Sequence, residues 1–156
     1  MPKLLMFVFS VGVCLFAGFI GSFFTVSSIP TWYAALNKPS FNPPNWIFGS
    51  VWTILYILMG IALYLVIKKG LINNEIKLAA TFFAVQLILN TIWSILFFGM
   101  RSPLLGFIEI GALWLSILFT TITFWRISSL AGILLIPYIL WVSFASVLNY
   151  FIWRLN

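Results

Sequence analysis

Three tryptophans, Trp52, Trp93 and Trp141, stand inside long apolar runs rather than at their ends. An indole at such depth offers a flat π face for stacking and a ring far more readily oxidised than that of phenylalanine. Each stands in a pattern of helical spacing. Phe48, Trp52 and Tyr56 fall at i, i+4 and i+8, nearly one azimuth of a helix. Gln86, Asn90 and Trp93 fall at i, i+4 and i+7, which puts two amides and an indole on one face. Trp141, Ala145, Leu148 and Asn149 recur likewise, the small Ala145 leaves room beside Trp141, and Phe144 is a further candidate ligand contact. The chemistry this favours is binding of flat, aromatic, mostly apolar ligands, with Gln86 and Asn90 orienting a carbonyl or carboxylate. The two amides have an equally physical alternative use. An unsatisfied polar group in hydrocarbon is costly, so they also suit hydrogen bonds that hold helices together.

Other chemistries are poorly supplied. The chain has no histidine, one cysteine and two acidic residues, so neither a transition-metal site nor an acid–base pair can be assembled from the usual groups. Glu109 is the acid that falls within an apolar run, and an ionisable group there is a pairing or functional candidate by default. Its depth suits a structural anchor paired with Lys38, Arg101 or an indole better than a catalytic acid.

The elements that position these residues follow from composition. With 63% hydrophobic and 6% charged residues, the chain falls far outside soluble globular proteins. Five apolar runs reach the ~20 residues a helix needs to cross a bilayer. They cover about 4–26, 47–67, 78–98, 104–125 and 132–153. The runs are apolar at consecutive positions, which excludes a barrel and gives an all-α membrane protein, a bundle of five transmembrane helices in one domain over 1–156. The first run is too long for a secretory signal core, and the lone Cys14 within it forms no intrachain disulfide. Gly12, Ala17, Gly18 and Gly21 on this run read as a packing face in preference to a ligand-access groove. Ala80 and Ala84 form a small-xxx-small pair on the third helix that suits a homodimer contact. Pro137 should loosen the turn before it in the fifth helix.

The connection between the first two helices, 27–46, is long and unlike a flexible linker. Four of the chain's seven prolines lie in or beside it, at Pro30, Pro39, Pro43 and Pro44. Trp32, Tyr33, Phe41 and Trp46 give it apolar surface to bury, so it should fold over the bundle as an ordered lid, with Lys38 at its mouth to neutralise an acid group on a ligand. The net charge of +6 is dispersed over helix ends rather than gathered into a stripe, which argues against a nucleic-acid partner. Lys3, Lys68, Lys69, Lys77 and Arg126 fall on the side of the N-terminus and Lys38, Arg101 and Arg154 on the other. The positive-inside rule then puts the N-terminus in the cytoplasm by a small margin.

The stretch from Trp32 to Tyr56 has the pattern W-Y-x-x-L-x-K-P-x-x-x-P-P-x-W-x-F-G-x-V-W-T-x-L-Y. With Gln86–Phe98 and Pro137–Asn156, it resembles the TspO/MBR family of tryptophan-rich sensory proteins, related to the mitochondrial translocator protein. The resemblance covers nearly the whole chain. It implies an integral protein of a bacterial cell membrane that binds protoporphyrin IX or a haem-type tetrapyrrole, and benzodiazepine or isoquinoline carboxamide drugs, with no cofactor required. It matches Trp52 and Trp141 to the family's porphyrin-reactive tryptophans, tied to light-dependent porphyrin breakdown, and Asn90, Trp93 and Ala145 to ligand contacts. It also implies a homodimer through the third helix. Leu148, Tyr150 and Arg154 satisfy a loose cholesterol-contact pattern, but the chain ends two residues after Arg154, which argues against carrying over steroid function. Receptor, porphyrin-degrading enzyme and transporter of tetrapyrroles or sterols remain open, and the absence of internal repeats weighs against the last.

Overall fold

The structure, a computed structural model, describes residues 2–156. Five helices, α1 (Lys3–Ser28), α2 (Asn45–Ile67), α3 (Asn74–Ser94), α4 (Pro103–Ile127) and α5 (Ser129–Leu155), are each long and apolar enough to cross a membrane. Each starts before the bound expected from hydropathy, and in α3, α4 and α5 a polar residue caps that start. Asn73 accepts from the amide of Glu75, Ser102 from Leu105 and Ser128 from Ala131, each satisfying a donor that the helix itself cannot. Gly70, at φ +117°, supplies the left-handed turn between α2 and α3.

Neighbours in space run α1, α2, α5, α4, α3 and back to α1, so the helices close into a ring. One continuous core fills it, from Met59, Leu63 and Val66 through Ile110, Leu113 and Ile117 to Leu135 and Val142. At Gly60 an added Cβ would stand 2.5 Å from the Cα of Val11. Only glycine lets α1 and α2 touch there.

Two local features depart from regular helix expectations. Pro137 lies inside α5, which nevertheless runs unbroken. At the end of α3, Ile95–Gly99 winds as a π-helix, with the Met100 amide donating to the Ile95 carbonyl at 2.7 Å. The wider turn brings consecutive Phe97 and Phe98 inward together, and the Phe98 carbonyl is taken up by the Ser28 hydroxyl of α1 at 2.8 Å.

Residues 29–44 connect α1 to α2 through a 3₁₀ turn, Tyr33–Ala35. Tyr33 is 2% exposed, and its hydroxyl donates to Asn42 at 2.8 Å. The Lys38 ammonium donates to the carbonyls of Tyr33 and Leu36, at 2.8 and 3.1 Å, and lies 4.8 Å from the centre of the Tyr33 ring. At the far side, the Asn37 amide donates to Asn156 Oδ1 at 3.0 Å and Asn156 Nδ2 donates back to the Asn37 carbonyl at 2.8 Å. This reciprocal pair ties the connection to the end of α5.

Candidate functional site

The α2 stripe, the end of α3 and the second half of α5 face one another across a cavity of about 420 Å³. Trp52 stacks on Tyr56 one turn along, 5.7 Å between centroids at 28°, and meets Trp141 edge to face at 6.5 Å. Phe48 sets its edge against Trp141 and Tyr33. Across the cavity, Trp93 stacks on Phe97 at 5.0 Å, held by its indole N–H donating to Asn149 Oδ1 at 3.0 Å. Asn149 in turn donates to the Pro103 carbonyl at 2.8 Å, so one amide ties α3, α4 and α5 together. The remaining wall is α1, through Gly18, Gly21 and Thr25 among others.

Beneath the aromatic wall runs a buried hydrogen-bond chain. Tyr56 Oη donates to Asn90 Oδ1 at 2.6 Å, Asn90 Nδ2 donates to Tyr138 Oη at 2.8 Å, and Tyr138 Oη donates to Gln86 Oε1 at 2.7 Å. Gln86 Nε2 reaches only the sulfur of Met59, at 3.9 Å. Each phenol gains a partner, as buried hydroxyls require, and α2, α3 and α5 are fastened at mid-depth.

Of the residues singled out from the sequence, Tyr33, Phe48, Trp52, Tyr56, Trp93, Trp141, Ala145 and Leu148 line the cavity. Gln86 and Asn90 do not; their amides are spent on the tyrosines behind the wall. Trp32 packs against the outer edge of Phe97, and Phe41, 43% exposed, leans on Phe144 and Phe151. Phe144 lines, with Trp141 and Pro137, a separate apolar groove between α2 and α5. Lys38 is absorbed by loop carbonyls instead of reaching the mouth or Glu109. Both Glu109 oxygens and the Trp141 indole N–H are buried with no hydrogen-bond partner among the described residues. The anchor expected from Glu109 with Lys38, Arg101 or an indole is therefore not formed. Ala80 is half-buried and Ala84 exposed on the outer face of α3. Burial pushes the Tyr33 hydroxyl up to about 12.

Ser94, Phe97, Phe98 and Ile152 line the cavity without being singled out in the sequence, and Gly18 and Gly21, expected as a packing face, border it from α1. Phe97 and Phe98 carried a signal in being aromatic one turn beyond Trp93, but a regular helix would bring only one of them fully inward.

The profile of the TspO/MBR family matches residues 10–154. The chain belongs to this family. It is 48% identical over 154 residues to the tryptophan-rich protein TspO of Chlorobaculum tepidum, covering 99% of this chain and 98% of that one. It is 37% identical over 139 residues to the translocator protein of Homo sapiens, covering 88% and 82%. The tryptophan-rich sensory protein of Cereibacter sphaeroides matches at 39% over 125 residues, covering 80% and 77%. Five apolar helices and membership of the TspO/MBR family together make this an integral membrane protein.

Proposed function

We propose that this protein is a membrane receptor or sensor that takes flat, largely apolar aromatic molecules into the cavity, tetrapyrroles such as protoporphyrin IX above all and benzodiazepine- or isoquinoline-type compounds as well. The observation that carries the reading is the wall itself. Trp52, Trp93 and Trp141, from three helices, surround a space in the size range of small-molecule sites, and the polar groups of Tyr33, Tyr56, Trp93 and Asn149 in its wall already have hydrogen-bond partners. Such a surface rewards extended π systems and offers little to a strongly hydrated solute. The connection over residues 29–44, pinned through Tyr33, Lys38 and the Asn37–Asn156 pair, serves as an ordered lid. No cofactor is needed for binding.

Light-dependent porphyrin breakdown is a second reading, favoured by the placing of two indoles, Trp52 and Trp141, side by side at the cavity wall. The same titration separates the two. Protoporphyrin IX added to the purified protein in the dark should quench tryptophan emission; pigment loss on illumination that depends on Trp52 and Trp141 supports the enzyme, and stable pigment supports the receptor alone.

Two features of the assembly complete the proposal. A homodimer forms through the exposed face of α3 that carries Ala84. The N-terminus lies in the cytoplasm with Lys68, Lys69, Lys77 and Arg126, and the lid faces the opposite side of a bacterial cell membrane.

A further inference from the structure

We infer that ligands reach the cavity sideways from the bilayer, through a slot between α1 and α2, and not through the lid. This rests on the cavity being the ligand site. The backbones of α1 and α2 meet closely at Val11 and Gly60. A Cβ at Gly18 would still strike the Tyr56 ring at 2.5 Å, whereas one at Gly49, two turns further along α2, would meet nothing within 4 Å. From the Gly18 level toward the lid, the cavity is bordered by residues that also face outward. Phe19 and Val26 of α1 are each 68% exposed and Trp46 of α2 is 71% exposed, with Ser22, Gly49 and Thr53 beside them.

The edges of the slot have no polar demand of their own. The Ser22 hydroxyl donates to the Phe19 carbonyl and the Thr53 hydroxyl to the Gly49 carbonyl, both at 2.8 Å. The outer surfaces beside it, Phe16 and Phe23 on α1 and Ile54 on α2, are large exposed apolar groups of the kind that hydrocarbon covers. The lid end is the opposite: Tyr33 is buried and doubly tied, and Asn37 and Asn156 hold the connection down with reciprocal hydrogen bonds. A molecule entering by the slot never leaves an apolar medium, so the slot selects for compounds that partition into the bilayer and present a thin, flat edge. Water-soluble anions and thick, non-planar lipids are excluded on both grounds.

The test uses the full chain in lipid nanodiscs with protoporphyrin IX as probe, delivered from phosphatidylcholine vesicles and followed by stopped-flow tryptophan quenching. Gly49→Trp should slow association about tenfold, and slow release as well. A tryptophan that merely filled the cavity would speed release instead. Asn37→Cys with Asn156→Cys in a Cys14→Ser background, oxidised to lock the lid, should change association by less than about twofold. Unchanged association in Gly49→Trp, or slowing by the locked lid, overturns lateral access. If Gly49→Trp does not fold, Thr53→Trp one turn on makes the same test. Failure of the wild type to bind the porphyrin saturably at equilibrium would overturn the assignment of the cavity itself, an outcome distinct from a wrong route.

Discussion

The indole of Trp141 meets that of Trp52 edge to face, with planes at 88°, so a side chain from α5 and one from α2 form a single corner of the cavity. Trp52 continues the contact onto Tyr56 by stacking, and Tyr56 continues it into the buried chain through Asn90. The cavity wall and the fastening of the bundle are thus adjacent layers of one structure. Substitutions in the two layers should have separable effects.

In the wall, Trp52→Phe and Trp141→Phe each keep a flat ring. Porphyrin affinity in the dark should fall by about 1 kcal/mol per substitution, a lost stacking increment. If the indoles also react, the double variant should bind porphyrin yet lose its breakdown under illumination, because phenylalanine resists oxidation. Undiminished breakdown by the double variant, measured by absorbance with porphyrin bound, removes the enzymatic role.

In the fastening layer, Asn90→Ala leaves the Tyr56 hydroxyl without its acceptor and the Tyr138 hydroxyl without a donor. The loss in stability should be about 1–3 kcal/mol, the penalty for an unsatisfied buried group. Porphyrin affinity of the folded fraction should fall less than for the tryptophan variants. Thermal unfolding in detergent checks the first part, and an unshifted midpoint would show the chain to be dispensable.

These two layers also mark what a single sequence discloses. Spans of apolar residues long enough for the bilayer leave few alternatives to five helices, and a stripe such as Phe48, Trp52, Tyr56 can be read from periodicity alone. Which helix lies opposite cannot. Gln86 and Asn90 share a face with Trp93, yet their partner Tyr138 sits on α5 and nothing along the chain announces that pairing, so the sequence leaves open whether the amides face a ligand or fasten helices. The π turn at Ile95–Gly99 changes the register after Trp93 and hid the shared direction of Phe97 and Phe98. On α1, glycines permit close packing and leave open space with the same letters: Gly18 does the first against Tyr56, and both Gly18 and Gly21 border the cavity.

The connection over residues 29–44 has a titratable pin. The folded state holds the Tyr33 proton more tightly than the unfolded chain, with the hydroxyl pushed up to about 12 from 10.0. Its contribution is therefore intact below pH 10 and lost as pH rises from 10 toward 12. The unfolding midpoint of the wild type should fall across that window relative to Tyr33→Phe, which lacks the group. Parallel pH curves for the two would show that Tyr33 is not held as described.

Dimer formation through α3 predicts disulfide crosslinks between copies for Ala84→Cys in a Cys14→Ser background, with Ala80→Cys, only half exposed, crosslinking less. Efficient crosslinking from positions on α1 and none from α3 would move the interface to another face.

The most direct test of the account is a dark titration of protoporphyrin IX into the wild type and Ala145→Phe, read by tryptophan quenching. Ala145 lines the cavity one turn beyond Trp141, and a phenyl ring there fills the space a flat ligand would occupy. The account predicts saturable quenching in the wild type and a loss of affinity of at least about tenfold in Ala145→Phe, each tenfold being 1.4 kcal/mol, with helicity and oligomeric state unchanged. Equal affinity in the two folded proteins would contradict it, because the porphyrin would then be bound somewhere other than this cavity.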